Sequence, residues 1–447
     1  MKRPPGNSAK LVIEKARRFE MPITGILMHA ESDWPLVFAE GKGAILKDLE
    51  GNEYIDFNGG FGSASTGYCH PTVVKFVKEQ LERLTMAGGR LLYPARGELA
   101  EKIVAISPGG SNKKVLLANT GTEAVEIAIK LSHASTRKPE IIAFQGAFHG
   151  RFHGAMALSS NRSVKKGYYP WIPSVIHVPY AGCFRCAFGK EYPDCNLQCL
   201  KYLEYVITDP GSGASETAAI FVEPLQGFEG FAIVPPDEFM PELRKICDRN
   251  GLLLVADEVY SGFGRTGKWF ASQHYDVVPD IIVSGKGAAS GLPFSCIIVL
   301  DHVVEKLKQI GAVHSATFLA NPISCAAALG TLKAIEEEEL LDNCVKAGEA
   351  LLHDLKNWFQ ENEFQGEVRG KGLFIGVEFV RDLNSKKPDT ELPLRIAHES
   401  IRRGLFVEAG GRYGNCLRIT PPLVITMNEI SRSMDVLRDA AKAAKTT

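Results

Sequence analysis

A lysine, a carboxylate and a glycine-containing turn carry the chemistry that this sequence suggests. Lys286 stands between two glycines in Ser284-Gly285-Lys286-Gly287. A free lysine has a pKa near ~10.4 and is a weak nucleophile at neutral pH. Burial at a strand end lowers that value and opens covalent chemistry with a carbonyl. The flanking glycines let a bulky group approach the backbone, although the same string fits a surface lysine. Asp257 follows the apolar run 252–256, so its carboxylate projects from a buried strand, where an unpaired charge is costly. A protonated pyridine nitrogen is a fitting partner, because the pair keeps such a ring as an electron sink. A helix cap or a structural ion pair is the plainer alternative. The third element, 119–124 (NTGTEA), is a turn that opens a helix. Helix N-termini offer free N–H groups and a positive dipole end to a phosphate, with Gly121 allowing close approach and Thr122 adding a hydroxyl. Ordinary capping fits this string as well.

Such residues need a scaffold that brings them together. Seven short apolar runs occupy the middle of the chain, at 115–118, 141–144, 175–178, 219–222, 252–256, 281–283 and 296–300. None alternates cleanly, as expected of strands covered on both faces. Helical patterns lie between many of them, at 122–132 and 238–249 for example, which argues for an open α/β sheet. Ligands gather beyond the carboxyl ends of such strands, where the sequence places 119–122, Glu223-Pro224, Asp257-Glu258 and 284–286. From about residue 332 the pattern turns helical, with strand-like pieces at 372–379 and 416–419 and a last helix after Asn428. The expected division is 61–331 for a large domain and 332–447 for a smaller α+β domain, joined by an N-terminal segment, 1–60.

Composition narrows the classes of function. The 447 residues are 45% hydrophobic, and 51 Lys+Arg against 52 Asp+Glu give a formal charge of −1. That balance supplies no electrostatic reason to expect nucleic acid or an anionic membrane as partner. The N-terminus has basic residues without an apolar stretch behind them, and no run approaches the ~20 residues of a spanning helix. A cytoplasmic protein is the expectation. Six of the ten cysteines are scattered, as reduced buried thiols are. The other four form Cys183-Phe184-Arg185-Cys186, then Cys195 and Cys199. Two close pairs suit a four-thiolate structural zinc site, reduced thiols, or disulfides.

Read together, the motifs resemble the class III aminotransferases, the ornithine, 4-aminobutyrate and acetylornithine group within fold type I of the pyridoxal-phosphate (PLP) enzymes. The pieces run in order over nearly the whole chain: GNEYIDF (51–57), NTGTEAVEIAIKL (119–131), FHGR (148–151), VEPLQG (222–227), VADEVYSGFGRTGK (255–268), SGKG (284–287), TFLANPISCAAAL (317–329), VRGKGL (368–373) and LRITPPL (417–423). The resemblance implies a large domain with a mostly parallel seven-stranded sheet between helices, plus a smaller α+β domain. It implies that Lys286 forms a Schiff base with the cofactor and later shuttles a proton. Asp257 pairs with the pyridine nitrogen, Gly121 and Thr122 bind the phosphate, and Phe148 and Val259 pack the two ring faces. Glu223 stands beside the phenolic edge. Thr317 reaches the phosphate of a neighbouring subunit, which implies a homodimer with shared active sites. Arg151 and Arg418 match the two arginines that hold substrate carboxylate in a bidentate fork, or they serve as structural ion-pair partners.

Two departures bear on the reaction. Tyr260 stands where many relatives have glutamine, and its phenol is expected to donate to the cofactor's 3′-oxygen. Phe228 replaces the glutamate that, in relatives using glutamate as donor, neutralises the second arginine and swings aside for a dicarboxylate. Unless Glu229 substitutes for it, glutamate and 2-oxoglutarate lose their receptor. Amino transfer from an amine or amino acid to a keto acid is the leading expectation. Racemisation or epimerisation of an amino acid on the same scaffold is the alternative, since both begin by removing the α-proton. Decarboxylating or aminomutase chemistry, and a catalytically silent PLP-binding protein, complete the range.

Overall fold

The computed structural model of the protein describes residues 1–21, 32–168, 174–228, 231–311 and 314–446. All seven apolar runs are strands of one sheet. Across it they stand in the order Lys113–Ala118, Ser295–Leu300, Ile281–Ser284, Leu253–Glu258, Thr217–Val222, Glu140–Phe144 and Val175–Val178. Ser295–Leu300 runs antiparallel to both neighbours, and the other pairings are parallel. The sheet is therefore mostly parallel, as expected.

Both faces are covered. Ile141, Ala143, Phe221, Val255 and Val283 point to the side of the helix Gly121–Thr136, whose Ala124, Val125, Ile127 and Ala128 pack on them. The alternate residues Ile142, Phe144, Ile220, Val222 and Leu254 meet the helices Gln198–Thr208 and Phe239–Asn250 on the other side. Period-two alternation into two apolar layers explains why the strands read as continuous apolar runs.

A second core lies around Trp358, which is fully buried, with Phe379, Leu351 and Leu437. It is built on the sheet Gly366–Lys371, Phe374–Phe379, Cys416–Ile419 and Glu408–Gly410 and on the helix Leu340–Glu361. Ile55 and Phe57 from the N-terminal segment join this core, and the strand Glu53–Asp56 pairs with Leu405–Phe406. The helix Pro322–Glu337 passes between the two bodies: Leu329 and Leu332 pack with Phe294 and Ile298, whereas Ile335 packs with the second core. We therefore propose domain boundaries near 60 and 331. Among the described residues no helix is long and apolar enough to cross a membrane.

Candidate active site

The parallel strands end at one edge of the sheet, and their last residues bring the chemical groups together. Asp257 and Glu258 close one strand, Ser284 closes its neighbour just before Lys286, and Glu223 follows a third. Adjacent residues on an extended strand face opposite ways. Hence Glu258 turns into the protein, where it accepts from the Ser261 hydroxyl and the Ala271 and Ser272 N–H groups. Asp257 turns toward the site.

Lys286 sits at φ 43°, a left-handed conformation rare outside glycine and of a kind that clusters at functional sites. Gly285 and Gly287 serve packing rather than ligand approach. A Cβ at Gly285 would come 3.2 Å from Ser295, and one at Gly287 3.1 Å from Ser65. The lysine Nζ lies 3.5 Å from the centroid of the Tyr260 ring. Burial, and then the Arg418 charge, push its pKa down to about 7, against opposing pulls from Glu223 and Asp257. An unperturbed lysine is only ~0.04% free amine at pH 7, and this lowering raises the free-amine share.

Asp257 is 5% exposed. His149 Nδ1–H donates to its Oδ2 at 2.7 Å and the Val259 N–H donates to Oδ1 at 3.0 Å. Burial opposes a charged His149, but the hydrogen bond and charge of Asp257, helped by Glu223, outweigh it and raise the imidazole pKa. A carboxylate has about four acceptor positions, so these two bonds orient Asp257 and leave capacity for a further donor. Glu223 accepts from the Phe148 N–H at 3.0 Å and the Gly227 N–H at 2.9 Å. Burial nevertheless pushes its pKa up to about 7.

The helix Gly121–Thr136 is capped by Thr120, whose hydroxyl accepts from the Glu123 N–H at 3.1 Å. Glu123 returns to the Asn119 N–H at 2.8 Å, so the cap fixes the turn with the N–H groups of Gly121 and Thr122 at the open end. Glycine is required at 121 because a Cβ would come 2.7 Å from Val259. At Gly150 (φ 134°) a Cβ would come 2.4 Å from the Thr122 hydroxyl.

The two candidate arginines differ sharply. Arg418 is 5% exposed, and its Nε and Nη1 have no hydrogen-bond partner among the described residues. Glu408 stands 3.9 Å away, too far for a hydrogen bond, and is itself bonded by Asn58 Nδ2. Three rings surround the guanidinium, with centroids at 5.3 Å for Phe61, 5.3 Å for Phe228 and 4.3 Å for Phe231. Arg151 is exposed and lies 5.8 Å from the Phe148 ring. Phe148 in turn stacks on Phe228, with centroids 4.4 Å apart. Thr317 is exposed, beside Gly89, Arg90 and Leu91 at a surface hollow. Lys286 is not among the residues lining that hollow.

The class III aminotransferase family matches residues 27–441. The chain belongs to that family. It is 41% identical over 446 residues to an alanine/serine racemase of Pyrococcus horikoshii, covering 98% of this chain and 92% of that one. It is 37% identical over 417 residues to an acetylornithine aminotransferase of Methanopyrus kandleri, covering 93% and 97%. An amine transaminase from an uncultivated Pseudomonas species, solved in its PLP-bound form, superposes with a TM-score of 0.85 at 28% identity, covering 92% and 96%. Pyridoxal 5′-phosphate is thus the cofactor of this class III protein.

The residues present fit that group. An amine of lowered pKa, an oriented buried carboxylate with acceptor capacity to spare, and a helix start with donors kept clear by Gly121 and Gly150 match its aldehyde, ring nitrogen and phosphate. Two class III site features were absent from the sequence reading. His149 lies inside the FHGR motif, but its partner is 108 residues away and no spacing links the two. Gly62 and Gly227 make room for the Tyr260 ring, since a Cβ at either would approach it to 2.2 or 2.6 Å. Two contacts of Tyr260 bear on the site. Its hydroxyl lies 3.3 Å from the Thr420 hydroxyl, and its ring face, not its oxygen, meets Lys286. Glu229 lies outside the described residues.

Proposed function

We propose that this protein racemises α-amino acids with pyridoxal phosphate held at Lys286. The observation that carries this reading is the buried Arg418 guanidinium, ringed by aromatic side chains, whose Nε and Nη1 have no hydrogen-bond partner among the described residues and which has the Glu408 carboxylate 3.9 Å away. One α-carboxylate satisfies it. Phe228 does not supply the switching acid at this place in the motif; Glu408 stands 3.9 Å from Nη1, and Glu229 lies outside the described residues. A reaction with a single substrate needs one carboxylate receptor, and the likeness to an alanine/serine racemase supports a small α-amino acid. Amino transfer to a keto acid is the second reading, supported by the family itself and by the acetylornithine aminotransferase relative.

The residues divide the work as follows. When bound, the cofactor supplies an electron sink for negative charge at the substrate α-carbon. Asp257, held by His149, keeps the proton on the ring nitrogen. Gly121 and Thr122 hold the phosphate, Phe148 and Val259 pack the ring faces, and Glu223 and the Tyr260 ring line its edge and the lysine. Arg418 orients the substrate carboxylate, while the exposed Arg151 guards the entrance. Lys286 Nζ, free as an amine near neutral pH, takes the α-proton. A proton returned to the opposite face of that carbon would invert it, whereas amino transfer would also need water to release the keto acid and a second, keto-acid substrate to take the amino group. Thr317 belongs to a neighbouring subunit's phosphate site in a homodimer. The exposed Phe318, Leu91 and Leu92 beside it supply apolar surface for such an interface.

The test is incubation of one enantiomer of alanine or serine with the enzyme in deuterium oxide, without any keto acid. Racemisation predicts the opposite enantiomer with deuterium at the α-carbon. Loss of one equivalent of amino acid to its keto acid, with no inversion, would establish transfer instead.

Two further outcomes follow from the site. Loading of cofactor onto the stripped enzyme should speed up as pH rises to about 7 and level off above it, because only the free amine of Lys286 reacts. Stopped-flow absorbance reads this directly. Arg418→Ala should raise KM for the amino acid on the order of a hundredfold, from the loss of charge-assisted hydrogen bonds. It should also move the loading profile to higher pH, since a positive neighbour of Lys286 is gone. An unchanged KM would remove Arg418 from substrate binding.

A further inference from the structure

The segment from Gly182 to Cys199 packs Leu197 and Cys199 against one apolar layer of the main sheet. None of its 18 residues is buried, yet it is closely turned. Cys183–Arg185 forms a short 3₁₀ turn, and hydrogen bonds run from the Gly189 N–H to Cys186 O and from the Cys195 N–H to Glu191 O. Asn196 and Leu197 both adopt positive φ, 46° and 52°, which folds Cys195 back toward Cys199 in the first turn of the helix Gln198–Thr208.

The four cysteines converge. Cys183, Cys186, Cys195 and Cys199 line one cavity of about 20 Å³, with Tyr180 and Leu197. Cys183 is within electrostatic reach of Cys186 and Cys195, and Cys199 of Cys183 and Cys195. All four are free thiols. Among the described residues no group of three or more His, Cys, Asp or Glu side chains is arranged to hold a metal ion, so binding requires the four thiols to move together.

The loop has a task that rigidity serves. The two residues enclosed by the first cysteine pair, Phe184 and Arg185, hold the second domain. Arg185 Nε donates to Glu378 at 2.5 Å and Nη1 to Lys386 O at 2.5 Å, while Lys386 Nζ donates to Phe184 O at 2.6 Å. Arg185 also lies 4.9 Å from the Tyr413 ring. Glu378 is on Phe374–Phe379, the strand that pairs with the one carrying Arg418.

We propose that Cys183, Cys186, Cys195 and Cys199 bind a zinc ion, or a divalent ion of like preference, as a structural staple that fixes Phe184 and Arg185 against the second domain. Four thiolates at C-x₂-C and C-x₃-C spacing suit tetrahedral zinc and leave no open position for catalysis. Binding releases thiol protons to solvent and involves no redox step.

The holoenzyme, purified from zinc-supplemented medium, should carry about one zinc per chain by elemental analysis. After chelation, cobalt(II) should restore an intense sulfur-to-metal charge-transfer absorption. Cys183→Ser with Cys186→Ser should lose the metal and lower the melting temperature, with kcat at low temperature within about twofold of the parent. Elemental analysis below a tenth of an equivalent together with no cobalt charge-transfer band would overturn the proposal. So would an intact mass showing the four cysteines paired as disulfides in the freshly purified protein. Should the double variant not fold, cobalt titration of the unaltered chain decides the question alone.

Discussion

Lys286→Ala is expected to lower turnover of the best amino acid by ~10³-fold or more, the scale lost when a positioned acid–base group is removed. On the proposed mechanism the side chain has two tasks, and alanine ends both. It attaches the cofactor, and its amine, with a pKa brought to about 7 by burial and by Arg418, takes the α-proton. The variant should still bind the phosphate and ring, because the helix start at Gly121 and the Asp257–His149 pair are untouched. Equilibrium dialysis should therefore find cofactor retained and catalysis gone. Added methylamine should return a measurable part of the rate, which a merely misfolded variant would not show. Turnover that persists without the lysine would contradict the assignment.

Asp257→Asn is the second large effect, with a loss expected on the order of 10³-fold in kcat and little change in KM. The amide keeps the shape of the side chain and still accepts from the Val259 N–H. It carries no charge to hold a proton on the ring nitrogen, so the electron sink fails at the step where the α-proton leaves. Its partner responds too. Asp257 is the chief support for a charged His149, so the imidazole pKa should fall, as nitrogen-15 NMR of the ring would show. His149→Asn should cost less, because it orients Asp257 without reaching the cofactor. A kcat for Asp257→Asn within tenfold of the parent would remove the carboxylate from the mechanism.

The main sheet was readable in the sequence because burial on both faces forces continuous apolar runs, and all seven became strands. The strands Phe38–Lys42 and Ile45–Asp48 were not, since they are short, partly exposed and mixed in character. Strand-end chemistry was readable at Asp257 and Lys286, whose runs announce where the chain emerges. The contact between His149 and Asp257 was hidden, because it joins strand ends 108 residues apart. The two arginines show the same limit: their motifs are alike in kind, but only packing makes Arg418 buried and leaves Arg151 exposed. Tyr260 was read through its hydroxyl, and the fold also places its ring face against Lys286. Its orientation depends on space left by Gly62 and Gly227, which no local pattern records. The cysteine spacing was plain, while the docking of Arg185 on Glu378 came only with the fold.

The account stands on the covalent partnership between the Lys286 amine and its cofactor. Reduction of the holoenzyme with borohydride fixes that linkage, and peptide mass mapping then locates it. The expected result is one phosphopyridoxyl adduct per chain on the peptide containing Lys286. An adduct on another lysine, or none on a protein that remains active before reduction, would contradict it.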